Sequence, residues 1–195
     1  MPPNEGQEKE QLGILACGML KDELRAILQR HGLRLPVSYL GGPPCLESRF
    51  PLERAVIRAS GRFEKVVLFL GRCLPSVDDL VARYSLYRLP MDNCFDALLE
   101  GKSRELYCQE HAFLTTPAWL KSWRSAFQCL GWDEATIRQH FGLYQRILML
   151  DPGLAPIADE ALLELSDHLQ LPVDRRRVDL EYLTGLLHNT IEAKP

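Results

Sequence analysis

The feature that most constrains the fold of this chain is an unbroken apolar run inside the segment KVVLFLGRC, residues 65–73. The run ends at Gly71 and lacks the alternation of polar and apolar residues that marks a strand with one solvated face. A run of about six such residues is typical of a strand that other elements cover on both faces. We therefore predict a buried strand here, with Cys73 just beyond its carboxyl end.

Other segments with strand patterns follow one another along the chain, and stretches with the apolar spacing of helices separate them. Parallel strands need long crossover connections, which are nearly always right-handed. The alternation thus predicts an α/β fold, with a doubly wound, mostly parallel sheet of about six or seven strands and helices on both faces. Besides the run above, the predicted strands are Leu12–Ala16, Leu35–Leu40, a segment starting at Leu86, Ala112–Thr115, Arg146–Leu150 and Arg175–Val178.

Three further interpretations concern the segments between the strands. Pro51 suits the first turn of a helix, and the apolar spacing extends this helix as far as Phe63. A single helix over residues 117–130 is expected to carry three aromatic side chains into the core. Asp92 and Asp151 each follow a predicted strand, and we interpret both as helix caps.

Length and composition favour a single globular domain over residues 12–188, with a polar, disordered tail at 1–11 and a short tail at 189–195. The formal charge of −3 lacks the basic footprint of a nucleic-acid-binding protein. No apolar run approaches the roughly 20 residues that a membrane span needs, and the polar N-terminus does not resemble a secretory signal. We expect a cytoplasmic protein whose six cysteines are reduced.

Four of the cysteines follow predicted strands. Cys17, Cys45, Cys73 and Cys94 come after the first, second, third and fourth strand, whereas the other two cysteines fall within predicted helices. The carboxyl ends of parallel strands share one edge of a sheet, and this edge is where α/β proteins bind ligands. The sequence therefore predicts a thiol-lined site at the carboxyl edge.

Helix N-termini favour thiolates, and Cys94 is predicted in the first turn of a helix. Several thiolates close together repel one another, and a soft cation such as Zn²⁺ relieves that repulsion. We predict a zinc site held by Cys17, Cys73 and Cys94, with Cys45 as a candidate fourth ligand. If only three protein ligands bind the metal, its fourth position is open, and the metal could activate a substrate thiol for methyl transfer. If Cys45 is the fourth ligand, the site is closed, and the metal is merely held, stored or structural.

Two other functions stay open at this point. The first is a non-catalytic interaction module with a redox-active dithiol, whose partner surface includes the Arg175–Arg177 run; a solvated face is the simpler interpretation of that run. The second is an enzyme that uses Cys94 alone as a nucleophile, although no general base lies nearby in the sequence.

Several segments of the chain resemble a family of bacterial and archaeal proteins called domain of unknown function 1638. The resemblance covers residues 12–188, and the Gly-x-Cys and Asp-x-Cys segments are its most specific parts. The matching segments are Cys17–Gly18, Gly71–Cys73, Leu89–Tyr107, Phe113–Trp119, Arg146–Leu154 and Val178–Leu187.

The family pattern implies a histidine after the second strand, and so a Cys, His, Cys, Cys set around one centre. This chain has no histidine between His31 and His111, so Cys45 or Ser48 must occupy that loop. Cysteine can replace a histidine ligand, whereas serine cannot. Some family members appear alongside corrinoid-dependent methyl-transfer proteins, and the resemblance thus suggests a corrinoid or methyltransferase-type partner.

Overall fold

The computed structural model describes residues 10–40, 52–74 and 76–192. These residues form a mixed α/β structure whose strands make two parallel sheets, and the α/β prediction is confirmed at this level. A single sheet of six or seven strands is not confirmed, because the strands are divided four and three. The chain forms two compact units, one comprising Phe95–Leu183 and the other the residues before and after it.

The first unit contains the four-stranded sheet, in the order β2-β1-β3-β4 with all neighbours parallel. The predicted buried run is its third strand, and Val67, Leu68 and Phe69 are fully buried. The described elements are β1 (Glu10–Cys17), a 3-10 turn at Gly18–Leu20, α1 (Lys21–Arg30), β2 (Val37–Leu40), α2 (Leu52–Arg62), β3 (Phe63–Phe69), α3 (Val77–Tyr84) and β4 (Tyr87–Arg88).

The strand order of this sheet reverses at β1. The connection through α1 leads from β1 to β2 on one side, and the connection through α2 then leads back across to β3 on the other. Right-handed crossovers therefore place α1 on one face of the sheet and α2 with α3 on the opposite face. In agreement, α2 and α3 contact each other. This sheet is thus doubly wound, as predicted for the whole chain.

The second unit contains the three-stranded sheet, in the order β5-β6-β7, with no reversal. Successive right-handed crossovers in one direction put their helices on one face. In agreement, α9 contacts α6, α8 and β7. Its elements are α4 (Asp96–Leu99), α5 (Ser103–Cys108), β5 (Ala112–Thr115), α6 (Pro117–Leu120), α7 (Trp123–Leu130), α8 (Glu134–Phe141), β6 (Arg146–Asp151), α9 (Asp159–Leu169) and β7 (Val173–Arg177); α10 (Glu181–Glu192) begins in this unit and ends in the first.

Two helix predictions are wrong in their extent. Phe63 begins β3 instead of ending α2, because its ring packs on Gly13 of the neighbouring strand; a Cβ at Gly13 would lie 2.2 Å from that ring. The helix predicted over residues 117–130 is broken into α6 and α7. At the break, the Ser122 hydroxyl donates to the carbonyls of Ala118 and Trp119, in competition with the backbone of a continuous helix.

The bounds of the other predicted strands are close to the structure, except that the extended run predicted within Leu86–Cys94 forms only the two-residue β4, Tyr87–Arg88. β5 has the predicted bounds, β1 begins two residues earlier, at Glu10, and β7 begins at Val173 instead of Arg175. The single-domain prediction for 12–188 stays a prediction, and residues 1–9 and 193–195 of the predicted tails lie outside the described residues. No helix among the described residues is long and apolar enough to span a membrane.

Candidate functional site

The strand order of the first sheet reverses between β1 and β3. The connections that leave these two adjacent strands run to opposite sides, and α/β proteins bind ligands at such a point. Cys17 is the last residue of β1, next to Leu40 at the end of β2. On the other side of the reversal, β3 ends at Phe69 and leads into Gly71.

Two cysteine side chains meet at this edge. Cys17 is 2% exposed and Cys94 is half-buried. The Cys94 thiol donates a hydrogen bond to the Cys17 sulfur, and this bond lowers the pKa of Cys17 below its ordinary value of 9.0. Burial of Cys17 raises that pKa and the backbone N–H of Met19 lowers it, while the charge of Glu23 raises it again. The net effect is a lowered pKa of the Cys17 thiol, with a hydrogen-bond donor beside it.

Gly71 brings the loop that carries Cys94 to this position. A Cβ at Gly71 would lie 2.4 Å from the Cα of Asn93 and 2.5 Å from the carbonyl oxygen of Asp92. The next residue, Arg72, donates its backbone N–H to that same carbonyl over 2.7 Å. Only glycine permits this approach of two backbone segments. The end of β3 therefore fixes the loop one residue before Cys94.

Arg88 supports the same loop from the end of β4. Its guanidinium donates to the carbonyls of Leu89, at 3.2 Å, and Met91, at 2.8 Å. Its side chain is only 13% exposed and pairs with Asp78 at 3.3 Å. Sequence reasoning missed this role, although an arginine between the apolar residues of a predicted strand is a signal that could have been used.

The interpretation of Asp92 as a helix cap is wrong. Its carboxylate pairs with Arg72 at 3.4 Å, and the helix that follows begins four residues later, with Phe95 in the N-cap position. For the same reason Cys94 does not lie in the first turn of a helix, since it precedes α4 by two residues. The thiol whose pKa is lowered is Cys17, and the cause is a hydrogen bond instead of a helix dipole.

The other predicted ligands are placed differently. Cys73 follows β3 at the carboxyl edge of the same sheet and is exposed. Cys45 lies outside the described residues. Among the residues that the structure describes, no three His, Cys, Asp or Glu side chains are grouped so that they could hold a metal ion. The structure thus brings Cys17 and Cys94 together but does not assemble the predicted three-cysteine centre.

Sequence reasoning also missed a buried carboxylate, that of Glu23, which acts on Cys17. Glu23, in the first turn of α1, is 2% exposed and acts electrostatically on Cys17. Its position three residues after Leu20 and four before Ile27 puts it on the apolar face of the helix. A charged residue on an apolar stripe is the signal that could have revealed it.

The carboxyl edge of the second sheet holds an ion cluster. Asp151, the last residue of β6, is 4% exposed and accepts hydrogen bonds from Arg175, at 2.8 and 3.1 Å, and from Arg177, at 3.2 Å. Its other oxygen accepts the N–H of Gly153 at 2.7 Å. Burial raises the pKa of Asp151, but the hydrogen bond from Gly153 and the two arginines outweigh burial, and the pKa falls below its ordinary value of 3.8.

The helix-cap interpretation of Asp151 is therefore wrong as well. The next helix, α9, begins only at Asp159, and the carboxylate instead joins β6 to β7. Two of the three arginines in the Arg175–Arg177 run are bound to this carboxylate, although both keep exposed donors.

Comparison with curated proteins gives no match. A family model described as "Protein of unknown function (DUF1638)" matches residues 47–187, which include Cys73, Cys94 and the Asp151 cluster but begin after Cys17. Because this match covers most of the sequence, the chain belongs to the DUF1638 family.

Proposed function

We propose that Cys17 and Cys94 form a redox-active dithiol that exchanges electrons with an external disulfide. The observation that supports this function is the hydrogen bond between the two thiols at the strand-order reversal, with the pKa of Cys17 lowered. The thiolate is the nucleophile in thiol–disulfide exchange. A buried thiolate next to a second, more accessible thiol is the arrangement that such exchange needs.

The exposures of the two sulfurs assign them different roles. Cys94 is half-buried and meets the external disulfide first, whereas Cys17 is almost fully buried. Cys94 transfers its proton to the Cys17 thiolate and attacks one sulfur of the external disulfide, which releases the other sulfur as a thiolate. Cys17 then loses the proton and attacks the Cys94 sulfur, which releases the second thiol. Two electrons pass from the two cysteines to the external disulfide, and a Cys17–Cys94 disulfide forms.

Oxidised glutathione is a suitable probe for this proposal. Reduced protein is incubated with the probe, and the cysteine states are read by mass spectrometry of non-reduced peptides. The wild type is expected to form the Cys17–Cys94 disulfide. Cys17→Ser is expected to stop at a glutathione adduct on Cys94, and Cys94→Ser to react slowly. An adduct on Cys94 that accumulates equally in the wild type and in Cys17→Ser would contradict the role of Cys17.

Zinc binding is the second candidate function, and the same thiol pair favours it. Cys17 and Cys94 supply two soft ligands, and the further ligands predicted from the sequence are Cys73 and Cys45. A bound zinc ion with an open position would activate a substrate thiol, as in methyl transfer. The described residues alone fall short of a zinc site, since they supply only this pair together.

Zinc affinity separates the two candidates. Competition with a chromophoric zinc chelator is measured on protein purified without metal-affinity steps. If zinc is the natural ligand, Cys45→Ser lowers the affinity and the matched variant Ser48→Ala does not. If the wild-type protein cannot compete with the chelator for zinc, the zinc function is contradicted and the redox-active dithiol is the remaining candidate. The corrinoid or methyltransferase-type partner suggested by the family resemblance stays a prediction.

A further inference from the structure

The second unit contains a groove that the thiol pair does not explain. It lies between α7, the start of α8 and α9, and its volume is about 780 Å³. Its apolar floor includes Trp123 and Phe127, which are buried in the core of this unit, and Trp132, which stacks on Phe127 at a centroid distance of 5.8 Å. A concave surface of this size with aromatic walls is typical of a binding site. We call it the aromatic groove.

The lining of the aromatic groove carries a net negative charge. Four carboxylates and one guanidinium, that of Arg124, line it, and two of the carboxylates are paired, Glu164 with Arg124 and Glu134 with Arg138. The carboxylates are those of Asp133, Glu134, Glu164 and Asp167. Aromatic faces and carboxylates in one concave surface both attract cations, the faces through their quadrupoles and the carboxylates through their charge.

The groove already contains one bound guanidinium from its own chain. Arg124 lies 4.4 Å from the centroid of the Trp123 ring and forms an ion pair with Glu164. This pair shows which kind of cation fits the wall, a planar group that stacks on an indole and bonds to a carboxylate. Glu134 and Asp167 lie beyond this pair, and they supply the charge for a second guanidinium.

The groove continues along α8 and α9. A second cavity, of about 380 Å³, shares Glu134, Asp167 and His168 with the first and extends to Arg138 and Gln170. Glu134 pairs with Arg138 in an exposed ion pair at 3.0 Å, and pairs of this kind contribute little and exchange easily. The combined length suits several residues of an extended chain better than one small molecule.

We propose that the aromatic groove binds an arginine-containing basic segment of a partner protein. An arginine of that segment bonds to Glu134 and Asp167 beside Trp132, whose ring already stacks on His140 at 4.2 Å and on Phe127 at 5.8 Å. Arginine is preferred to lysine because its planar guanidinium bonds to a carboxylate with two parallel donors, whereas the lysine ammonium is a point charge. This inference is independent of the thiol pair and of its proposed function.

Two capped peptides of equal charge, hexa-arginine and hexalysine, test the proposal. All three tryptophans of the chain, Trp119, Trp123 and Trp132, belong to this unit, and their fluorescence reports binding. Hexa-arginine is expected to bind about tenfold more tightly than hexalysine, which corresponds to one bidentate hydrogen-bonded contact. Equal affinities for the two peptides would overturn the proposal, since charge alone would then explain binding.

Matched substitutions locate the binding site. Glu134→Gln and Asp167→Asn each remove a charge from the groove, and each is expected to weaken hexa-arginine binding about fivefold. Glu160→Gln removes an exposed charge from the same helix as Asp167 but outside the groove, and less than a twofold change is expected. A loss as large in Glu160→Gln as in the other two variants would overturn the proposal. Free arginine methyl ester that binds as tightly as the peptide would also overturn it, in favour of a small-molecule site.

Discussion

The two sheets are built from the same alternation of strand and helix, yet their carboxyl edges differ. In the first sheet the strand order reverses, and the edge holds a hydrogen-bonded thiol pair. In the second sheet the strands follow one another in order, and the edge holds a buried carboxylate bound by two arginines. In this chain the edge with a reversal holds the thiol pair, as expected from the rule that α/β sheets bind ligands at a reversal, whereas the edge without one holds ion pairs.

A glycine follows the strand at both edges, and in each case the missing side chain allows a close contact with a different group. Gly71 admits the backbone of Asn93, which cannot move without the whole loop. Gly153 has a positive φ of 67° and lies under the guanidinium of Arg177, the far end of a flexible side chain. The first glycine therefore positions a reactive residue, and the second completes an ion cluster that connects two strands.

The largest effect is expected from Asp151→Ala at the second edge. Loss of this buried carboxylate leaves the two arginines and the Gly153 N–H without their acceptor, and we expect the free energy of unfolding to fall by about 2–3 kcal/mol. Asp174→Ala is the matched control, because Asp174 forms a more exposed ion pair with Arg146 at 3.0 Å and should cost less than about 0.5 kcal/mol. Urea unfolding of both variants gives the two values. Similar small losses would show that the Asp151 cluster is not structural.

A smaller loss of stability, with a change of chemistry, is expected from Gly71→Ala at the first edge. The added Cβ would overlap the backbone at Asp92 and Asn93, and such overpacking costs about 1–3 kcal/mol. Because the loop must move, the hydrogen bond from Cys94 weakens and the pKa of Cys17 rises toward 9.0.

Gly61→Ala is the control for this variant, since a Cβ at Gly61 in α2 meets no atom within 4 Å. It should leave thiol chemistry unchanged and stability equal or higher. The rate of iodoacetamide alkylation, measured against pH on the Cys17 peptide, gives the thiol pKa. An unchanged pH profile in Gly71→Ala would mean that the Gly71 contact does not position Cys94.

The pH dependence of stability should separate the two edges. The pKa of Asp151 is lowered in the folded protein, so its contribution is present above 3.8 and is lost as the pH falls through the folded-state pKa. The pKa of Cys17 is lowered from 9.0, so its contribution is complete above that pH and is lost as the pH falls through the folded-state value.

Asp151→Asn is thus expected to flatten the acid side of the stability curve, and Cys17→Ser its alkaline side. Urea unfolding of reduced protein, repeated across the acid and alkaline ranges, measures both effects. If Cys17→Ser leaves the alkaline side as steep as in the wild type, the lowered pKa of Cys17 is refuted.

Local patterns predicted the fold class and the strand ends, and long-range contacts explain the errors. The apolar run before Gly71 marks a buried strand because burial on both faces is visible in the run itself. The division into two sheets depends on which strands pair, and no local pattern carries that information. Asp92 and Asp151 have the local features of helix caps, but their partners are 20 residues away, at Arg72, and 24 residues away, at Arg175.

For the candidate site too, local patterns predicted the positions of residues along the chain but not the long-range contacts between them. The position of Cys17 and Cys94 after strands of one sheet follows from the alternation, but their hydrogen bond depends on the approach of the loop to Gly71. The aromatic groove was predicted only in part. Trp123 and Phe127 are core residues as expected from their helical spacing, whereas the acidic residues around them come from two separate segments, the start of α8 and α9.

The smallest effects are expected from Cys108→Ala and Cys129→Ala, which lie on helices of the second unit, as predicted. Neither cysteine belongs to the thiol pair, so zinc content and oxidation by glutathione should match the wild type. Cys108 is exposed and Cys129 is half-buried, so only Cys129→Ala should show a modest packing loss, on the order of 1 kcal/mol. Mass spectrometry and elemental analysis of both variants measure these quantities. Loss of zinc, or of the Cys17–Cys94 disulfide, in a folded Cys108→Ala protein would assign the reactive thiols to the second unit and reverse the contrast between the two edges.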